Sequence, residues 1–316
     1  MTATSPLAAP TGFDDRRRQR RSSIWQRRYM RIQPWLYVGP ALLVTVVLVA
    51  APVLYLLQAS VKDMELGDPV TSAPFVGFDN YRQALDGPSS LQHSLKLSLI
   101  YVSVALIVET ILGLGIALLI ERLERALPFL LAVMLVPMVL MPAMVAMVWR
   151  LYFTFDGLVN WVIGLGGFEP VNWFSTDHAL QAVILTDVWQ WTPFFVLLFV
   201  AGLQNVPKDI KEAAEVDGVT GWQMIRMVKL PILLPLIIIA STLRVMELVR
   251  QFDLAFIMFG GGPGNATEIL PLSVYRATVQ RLDVGVGAVL SLGLIAIVMA
   301  ISWFFIALMR RYRVEA

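Results

Sequence analysis

Six long apolar stretches constrain the fold of this chain more than any other feature of its sequence. Each has about 20 residues, enough to cross the ~30 Å hydrocarbon core of a membrane as an α-helix. Hydrophobic residues make up 57% of the 316 residues and charged residues only 15%, which is far from a soluble average. The stretches lie at roughly 35–58, 97–120, 128–152, 180–203, 232–258 and 286–308. We therefore predict an all-α integral membrane protein with six transmembrane helices.

The distribution of lysine and arginine predicts which side of the membrane each loop faces, because cytoplasmic loops carry an excess of both. Seventeen lysines and arginines lie in the segment through Arg31, the 121–126 turn, the 205–230 loop and the C-terminal tail. The alternate loops hold only Lys62, Arg82, Arg276 and Arg281. Both termini and the 205–230 loop are therefore predicted to be cytoplasmic. We assign the Arg-rich N-terminus to topology and to contact with anionic lipid rather than to nucleic acid.

The chain is predicted to hold one membrane domain between two short cytoplasmic ends. Residues 1–31 are Arg-rich and lack a periodic apolar face, so they are predicted to be disordered. Residues 32–310 form the six-helix domain, which includes a cytoplasmic segment at 205–231, and residues 311–316 form the tail.

Motifs of enzyme chemistry are missing from the sequence. It has no cysteine, no HExxH zinc motif, no GxSxG nucleophile motif and no GxxxxGK[ST] phosphate-binding loop,. We therefore predict that the chain is not an enzyme, has no catalytic residue and no metal site, and cannot bind ATP through a phosphate-binding loop of its own.

The segment at 205–231, called the docking segment below, is polar and lies between two apolar stretches. Pro207 suits the first turn of a helix, and Asp217-Gly218 is typical of a helix end. Thr220 with Gln223 three residues later predicts a capping box that begins a second short helix, which Pro231 is expected to close. Two capped helices exceed what a connecting loop needs, so the segment is predicted to dock on a cytoplasmic partner.

The docking segment resembles the EAA coupling loop of membrane subunits of bacterial binding-protein-dependent ABC importers. The matching residues are Glu212, Ala213, Ala214, Asp217, Gly218, Leu230 and Pro231. Val219 and Ile225 replace the family's usual Ala and Phe but keep an apolar contact. In that family the loop enters a cleft in a separate ATPase and transmits its closure, and we expect Ala213 and Ala214 to let the first helix sit deep in that cleft.

Three further segments resemble the maltose-transporter F-type subunit and its carbohydrate-type relatives. They are residues 187–207, the Phe252-Asp253 pair with the Gly-rich loop at 260–268, and residues 75–81, whose FVGFDNY matches the pattern FVGxxNY. The resemblance implies a type I importer permease fold with a cytoplasmic coupling helix in the bacterial inner membrane. It also implies contact of the Gly-rich loop with an external binding protein, for which the candidates are Gly261, Gly262, Pro263 and Thr267.

The same resemblance implies partners and a substrate class. The partners are a second permease subunit that completes a heterodimer, two copies of a cytoplasmic ATPase that carries Mg-ATP, and an external solute-binding protein, with no cofactor on this chain. The expected solute is a sugar, a polyol or a glycerol-type molecule. Amino acids, peptides or phosphonates are the alternative solutes, and a secondary transporter is the alternative class, although it has no reason for a capped docking helix.

Charged residues inside the predicted spans are candidates for the solute pathway or a gate. Arg244, Glu247 and Arg250 recur at spacings of three, which places them near one helix face and within reach of each other. Because lipid exposure of such groups is costly, that face is predicted to look into the bundle or a wet cavity. They either contact the solute or form a buried pair that fixes helix packing, and packing is the favoured alternative.

Other polar and aromatic residues belong to the same set of candidates: Glu109, Asp187, Trp189, Trp191 and Asp253. For Glu109 and Asp187 we favour a structural pairing with Arg150 or Arg244. For the two tryptophans an aromatic belt at the external interface is favoured over sugar stacking.

Overall fold

The structure is a computed structural model that describes residues 37–86, 90–121, 123 and 126–311. The predicted disordered segment 1–31 and most of the predicted tail lie outside the described residues. The chain divides into two units, one ending at Tyr55 and the other beginning at Leu56. The first unit contains most of helix α1, an apolar helix of 23 residues.

Within the described residues, regular structure is helical, and β-structure is confined to two isolated bridges, Lys62 with Phe75 and Glu65 with Asp283. The helices are α1 Tyr37–Ala59, α2 Asp79–Asp86, α3 Leu91–Ile120, α4 Leu127–Val139, α5 Pro142–Tyr152, α6 Leu158–Leu165, α7 Ala179–Gln204, α8 Lys208–Val216, α9 Gly221–Val249, α10 Asp253–Phe259, α11 Leu270–Tyr275 and α12 Val284–Arg311.

Five of these helices are long and apolar enough to cross a membrane: α1, α3, α7, α9 and α12. The sixth predicted span, at 128–152, is a pair of shorter helices, α4 and α5, that meet at a bend of 93°. The prediction of one continuous helix there was wrong. Counted as one broken span, the pair completes the six predicted crossings.

The bend between α4 and α5 follows from Pro142. The residue before a proline is driven out of the helical region, and Leu140 and Met141 both have extended backbone, with ψ of 141° and 132°. The break frees backbone groups that lipid cannot satisfy. Gln190 of α7 compensates, because its Nε2 donates to the Leu140 carbonyl at 3.0 Å.

Helix α9 differs from the prediction in two places. The second helix of the docking segment was expected to end at Pro231, but it continues through Pro231 and Pro235 as one helix to Val249. A wider π-helical turn over Met224–Lys229 precedes the first proline. We attribute the continuity to this turn, since π-turns accommodate local strain in the backbone ladder. The span predicted to reach residue 258 stops at Val249, and α10 starts separately at Asp253.

The core of the second unit is built around α3 and α7. Gly113 of α3 brings the two helices together, because a Cβ at that position would lie 2.4 Å from Phe195 Cβ of α7. Gly202 near the other end of α7 gives α9 a similar close approach, because a Cβ there would lie 2.5 Å from Leu233 Cδ2. Small residues at helix contacts are the usual means of close packing in membranes. Helices α3, α7 and α9 therefore form a tightly packed group.

Candidate functional site

A buried ionic cluster joins α3, α7 and α9 inside the membrane-spanning region. Arg244 of α9 donates from Nε to Glu109 Oε2 and from Nη2 to Glu109 Oε1, both at 2.9 Å. The same Nη2 also donates to Asp187 of α7. The side chain of Arg244 is 3% exposed and that of Glu109 is fully buried. We call Glu109, Asp187 and Arg244 the ionic cluster.

The geometry of the ionic cluster is suited to arginine. A guanidinium presents its donors in a planar fork that matches a carboxylate, so the contact with Glu109 is bidentate. The face of the guanidinium is covered by Trp191, whose ring centroid lies 4.6 Å from Arg244 Cζ. Aromatic faces attract desolvated cations. The cation is thus held by two acids and one aromatic ring.

Two buried polar atoms at the cluster, Asp187 Oδ1 and Tyr101 Oη, make no hydrogen bond of regular geometry within the part of the chain that the structure describes. Glu247, one turn along α9, adds a third acid, with Oε2 at 3.5 Å from Arg244 Nη1. Its side chain is 45% exposed, so it faces away from the buried side. The cluster therefore has a dry side, formed by Glu109 and Asp187, and an open side at Glu247.

The prediction that Arg244, Glu247 and Arg250 lie within reach of each other holds for the first two only. Arg250 follows the last residue of α9, is exposed, and donates from Nε to its own helix at Met246 O, 3.0 Å away. Asp253 is exposed at the first residue of α10. Glu109 and Asp187 were expected to pair with Arg150 or Arg244, and both pair with Arg244. Arg150 instead donates to the Ile257 carbonyl.

The two tryptophans of α7 occupy different surroundings. Trp189 is 40% exposed and packs edge-on against Trp149 of α5, with ring centroids 5.5 Å apart. Trp191 lies twelve residues from the start of α7, in contact with Arg244. The favoured expectation of an interfacial belt is therefore wrong for Trp191, because its ring covers a buried cation in the interior of the helix group.

The turn and the capping box of the docking segment form as their local chemistry predicts, although the second helix does not end at Pro231. Helix α8 is followed by Gly218 with a φ of +72°, a left-handed conformation that favours glycine,. The capping box is present: Gln223 N donates to Thr220 Oγ1 at 3.4 Å, and Thr220 N donates to Gln223 Oε1 at 2.8 Å. The segment is thus two helices joined by a defined turn.

The surface of the docking segment combines exposed polar and apolar side chains. Glu212, Ala213, Asp217, Gly218 and Pro231 are exposed and Leu230 is partly buried. Four large apolar side chains are also exposed there, with Val216 at 88%, Trp222 and Met227 at 69% and Ile210 at 43%. The match to the EAA pattern did not identify these four apolar side chains. Their position in a polar helical segment is the signal that could have identified them. Large apolar side chains exposed in a polar segment make it a candidate interaction surface.

Ala214 corrects one part of the prediction for the docking segment. Its side chain is only 8% exposed, and its carbonyl accepts from Val219 N at 3.0 Å, as part of the turn that ends α8. It therefore packs inside the segment and cannot line the surface that enters a partner's groove. Ala213, the adjacent residue, is on the exposed face.

The Gly-rich loop at 260–268 is held from within by Arg276. The guanidinium donates to Gly260 O at 2.7 Å and pairs with the buried Glu268. Gly261 is required there, because a Cβ would lie 2.7 Å from Arg276 Nη2, and its φ is +89°. The loop is therefore a shaped element rather than an open turn.

Burial corrects two of the four candidates for binding-protein contact. Thr267 is fully buried and its Oγ1 donates to Gly262 O at 2.9 Å, while Gly261 is buried against Arg276. Both hold the loop and have no surface for a partner. Gly262 and Pro263 are partly exposed and stay candidates.

Metal ligands are not brought together in the described ranges, where no group of three or more His, Cys, Asp or Glu residues could hold an ion.

Comparison with known proteins gives a consistent result. A family model described as binding-protein-dependent transport system inner membrane component matches residues 109–314. The probable ABC transporter permease protein y4oQ of Sinorhizobium fredii is 35% identical and covers 89% of this chain and 91% of its own length. The trehalose/maltose transport system permease protein MalF of Thermococcus litoralis is 34% identical, with coverage of 82% and 87%.

A solved structure shares the fold. One chain of a bacterial alginate ABC transporter, crystallised in complex with an alginate pentasaccharide-bound periplasmic protein, matches with a TM-score of 0.73 at 18% identity. The match covers 90% of this chain and 97% of that one. The all-helical architecture is thus that of a type I importer permease.

Proposed function

This chain belongs to the family of binding-protein-dependent transport system inner membrane components, and we propose that it carries a sugar, polyol or glycerol-type solute across the membrane. It is a permease subunit of an ABC importer, a multi-pass membrane protein and not an enzyme. The relative named for trehalose and maltose transport, 34% identical over 82% of this chain, supports a carbohydrate-like solute over amino acids, peptides or phosphonates.

The docking segment is the observation that carries the proposed coupling of this permease to an ATPase. It exposes Glu212, Asp217 and Gly218 beside large apolar side chains such as Trp222 and Met227. A solvent-exposed patch of this kind is stabilised when a partner covers it. The sequence has no phosphate-binding loop of the GxxxxGK[ST] type, so the proposed partner is a separate ATPase, present in two copies and carrying Mg-ATP.

The proposed cycle couples ATPase closure to movement of the permease. ATP binding brings the two ATPase subunits together, and their clefts carry the docking segments with them. This chain and a second permease then rock from an inward-facing to an outward-facing state, the external binding protein releases the solute, and hydrolysis resets the assembly. Gly262 and Pro263 remain the candidates for contact with the binding protein. The proposed cycle requires both termini and the docking segment to be cytoplasmic.

The ionic cluster is proposed to hold the helices in place rather than to contact the solute in this state. Arg244 is 3% exposed and saturated by Glu109, Asp187 and Trp191. Releasing it for a solute costs the desolvation energy of two acids left without their cation. Glu247 is the member of the original set that is exposed enough to meet a solute without that rearrangement.

A binding screen followed by reconstitution tests the proposed function. The solute-binding protein encoded beside this permease is screened by calorimetry against sugars, polyols, glycerol and glycerophosphodiesters, with amino acids and peptides as the competing classes. ATP hydrolysis is then measured in the complex reconstituted in vesicles. A carbohydrate-like ligand that both binds and stimulates hydrolysis supports the proposal. Stimulation by amino acids or peptides alone contradicts the solute class, and failure to copurify with an ATPase contradicts the importer assembly.

A further inference from the structure

A second ion pair between α3 and α9 lies where the docking segment joins the membrane helices. Lys229 Nζ donates to Glu121 Oε2 at 2.6 Å, and the two side chains are 14% and 13% exposed. Glu121 is the residue that follows α3, and Lys229 is the last residue of the π-helical turn at the base of α9. The pair is thus largely shielded from water, unlike an ordinary surface salt bridge.

Glu121 occupies an unfavourable position for an acid. Its backbone N–H caps α3 by donating to Ala117 O at 2.9 Å, and the carboxylate therefore lies at the negative end of the helix dipole. A cation is the side chain that such a position favours. Lys229 supplies a cation from another helix, so the pair links the two helices.

The two ion pairs between α3 and α9 are in register. Glu109 and Glu121 are twelve residues apart, and Lys229 and Arg244 are fifteen apart on a helix that runs the opposite way. At 1.5 Å per residue these separations are about 18 Å and about 22 Å. The near match allows both pairs to form at once, one at the cytoplasmic end and one in the membrane interior.

The cytoplasmic pair is close to the docking segment along the chain. The capping box at Thr220 and Gln223 leads directly into the π-helical turn that ends at Lys229. A displacement of α8 therefore reaches α9 through this turn, and π-helical turns recur at functional joints of helices. Without Lys229 and Glu121, α9 could move at its base while α3 stayed behind.

We propose that Lys229 and Glu121 are positioning residues that make α3 move together with α9 when the docking segment is displaced. The inference rests on the proposed coupling role of the docking segment. Its physical basis is that two separated links prevent both sliding and pivoting between the helices, whereas Arg244 with Glu109 alone leaves a pivot. The cytoplasmic pair then transmits the displacement to α3, and the ionic cluster keeps its geometry during the movement.

The test uses the complete reconstituted complex, with the binding protein saturated by the solute selected in the screen. K229Q and E121Q are each expected to lower solute stimulation of ATP hydrolysis about tenfold while the amount of assembled complex stays the same. The reversed pair, E121K with K229E, restores the attraction and is expected to recover most of the stimulation. The matched control is D79N with R82Q, which removes an exposed pair on α2 with an N–O distance of 3.4 Å.

Normal stimulation in K229Q and E121Q overturns the inference, as does a reversed pair no better than the single variants. G218D, made in the same preparation, separates this failure from failure of the proposed function. If G218D abolishes stimulation while K229Q and E121Q do not, only the positioning role falls. If G218D is also normal, the coupling role of the docking segment falls with it.

A crosslink tests whether holding the two positions together is sufficient for coupling. The chain has no cysteine, so the variant E121C/K229C carries its only two thiols. Before crosslinking this variant lacks the ion pair and is expected to be impaired like K229Q and E121Q, and joining the thiols with a short bismaleimide is expected to restore solute uptake, because the two positions stay together throughout the cycle. Loss of uptake on crosslinking, reversed when a cleavable reagent is cut, means that the pair must open and overturns the inference.

Discussion

The ionic cluster and the docking segment satisfy their side chains in opposite ways. The cluster closes on itself, with Arg244 held by Glu109, Asp187 and Trp191 and 3% exposed. The docking segment leaves Val216 at 88% and Trp222 at 69% exposure, uncovered by the described part of this chain. A group in lipid must find its partner within the protein, whereas an exposed group outside the membrane helices can be covered by another polypeptide. The difference agrees with the proposal that the cluster is a permanent contact and the docking segment a contact with another polypeptide.

Removing the cation of the ionic cluster is expected to have the largest effect. R244M leaves Glu109 and Asp187 buried without a countercharge, and losing one partner of a buried pair costs about 3–5 kcal/mol. We expect a lower yield of folded subunit and a lower melting temperature of the detergent-purified chain. The triple variant R244M/E109Q/D187N removes the acids' charges as well and should recover much of the yield. An R244M variant as stable as the original means that the cluster is not closed on itself.

Changing the docking segment is expected to abolish coupling without unfolding the subunit. G218D places a charge on the exposed turn and E212K reverses one, so both should insert normally but fail to support ATPase assembly or stimulation. G218N is the matched control for G218D, since asparagine has the same size, no charge and tolerance for a left-handed backbone. The measurements are copurification of the ATPase and solute-stimulated hydrolysis. Normal values for G218D and E212K contradict the docking role.

Close packing around the ionic cluster predicts a smaller loss of stability. In G113A the new Cβ lies 2.4 Å from Phe195 Cβ, and overpacking of this kind costs about 1–3 kcal/mol. G115A is the control, because no atom lies within 4 Å of its Cβ position. Thermal unfolding of the two variants should differ by several degrees. Equal melting temperatures indicate that α3 and α7 separate more easily than their contact suggests.

The open side of the cluster should give the smallest effect on stability. Glu247 is 45% exposed and 3.5 Å from Arg244, so a double-mutant cycle of E247Q with R244M should give a coupling energy below about 1 kcal/mol. The cycle of E109Q with R244M is the internal comparison and should give a larger coupling. A Glu247 coupling as large as that of Glu109 means that the two sides of the cluster do not differ. A loss of transport in E247Q without loss of stability favours contact with the solute.

Local rules anticipated the docking segment more accurately than the membrane helices. The left-handed Gly218 and the Thr220–Gln223 box depend on neighbours a few residues away, and both are present. The break at Pro142 and the continuity through Pro231 were not anticipated, because an apolar stretch containing proline can bend or continue. The outcome depends on whether another helix satisfies the freed backbone groups, as Gln190 does for Leu140,.

The sequence by itself determined the membrane class, the number of apolar stretches, the family resemblance and the two capped helices of the docking segment, since hydrophobic length and turn chemistry are local properties. Only the tertiary structure decided that Glu109 and Asp187 share Arg244, that Trp191 covers it, that Ala214 and Thr267 face inward, and that Lys229 meets Glu121. These pairings join residues 57 to 135 positions apart in the cluster. They arise because helices brought together by packing must neutralise whatever charge they carry out of water.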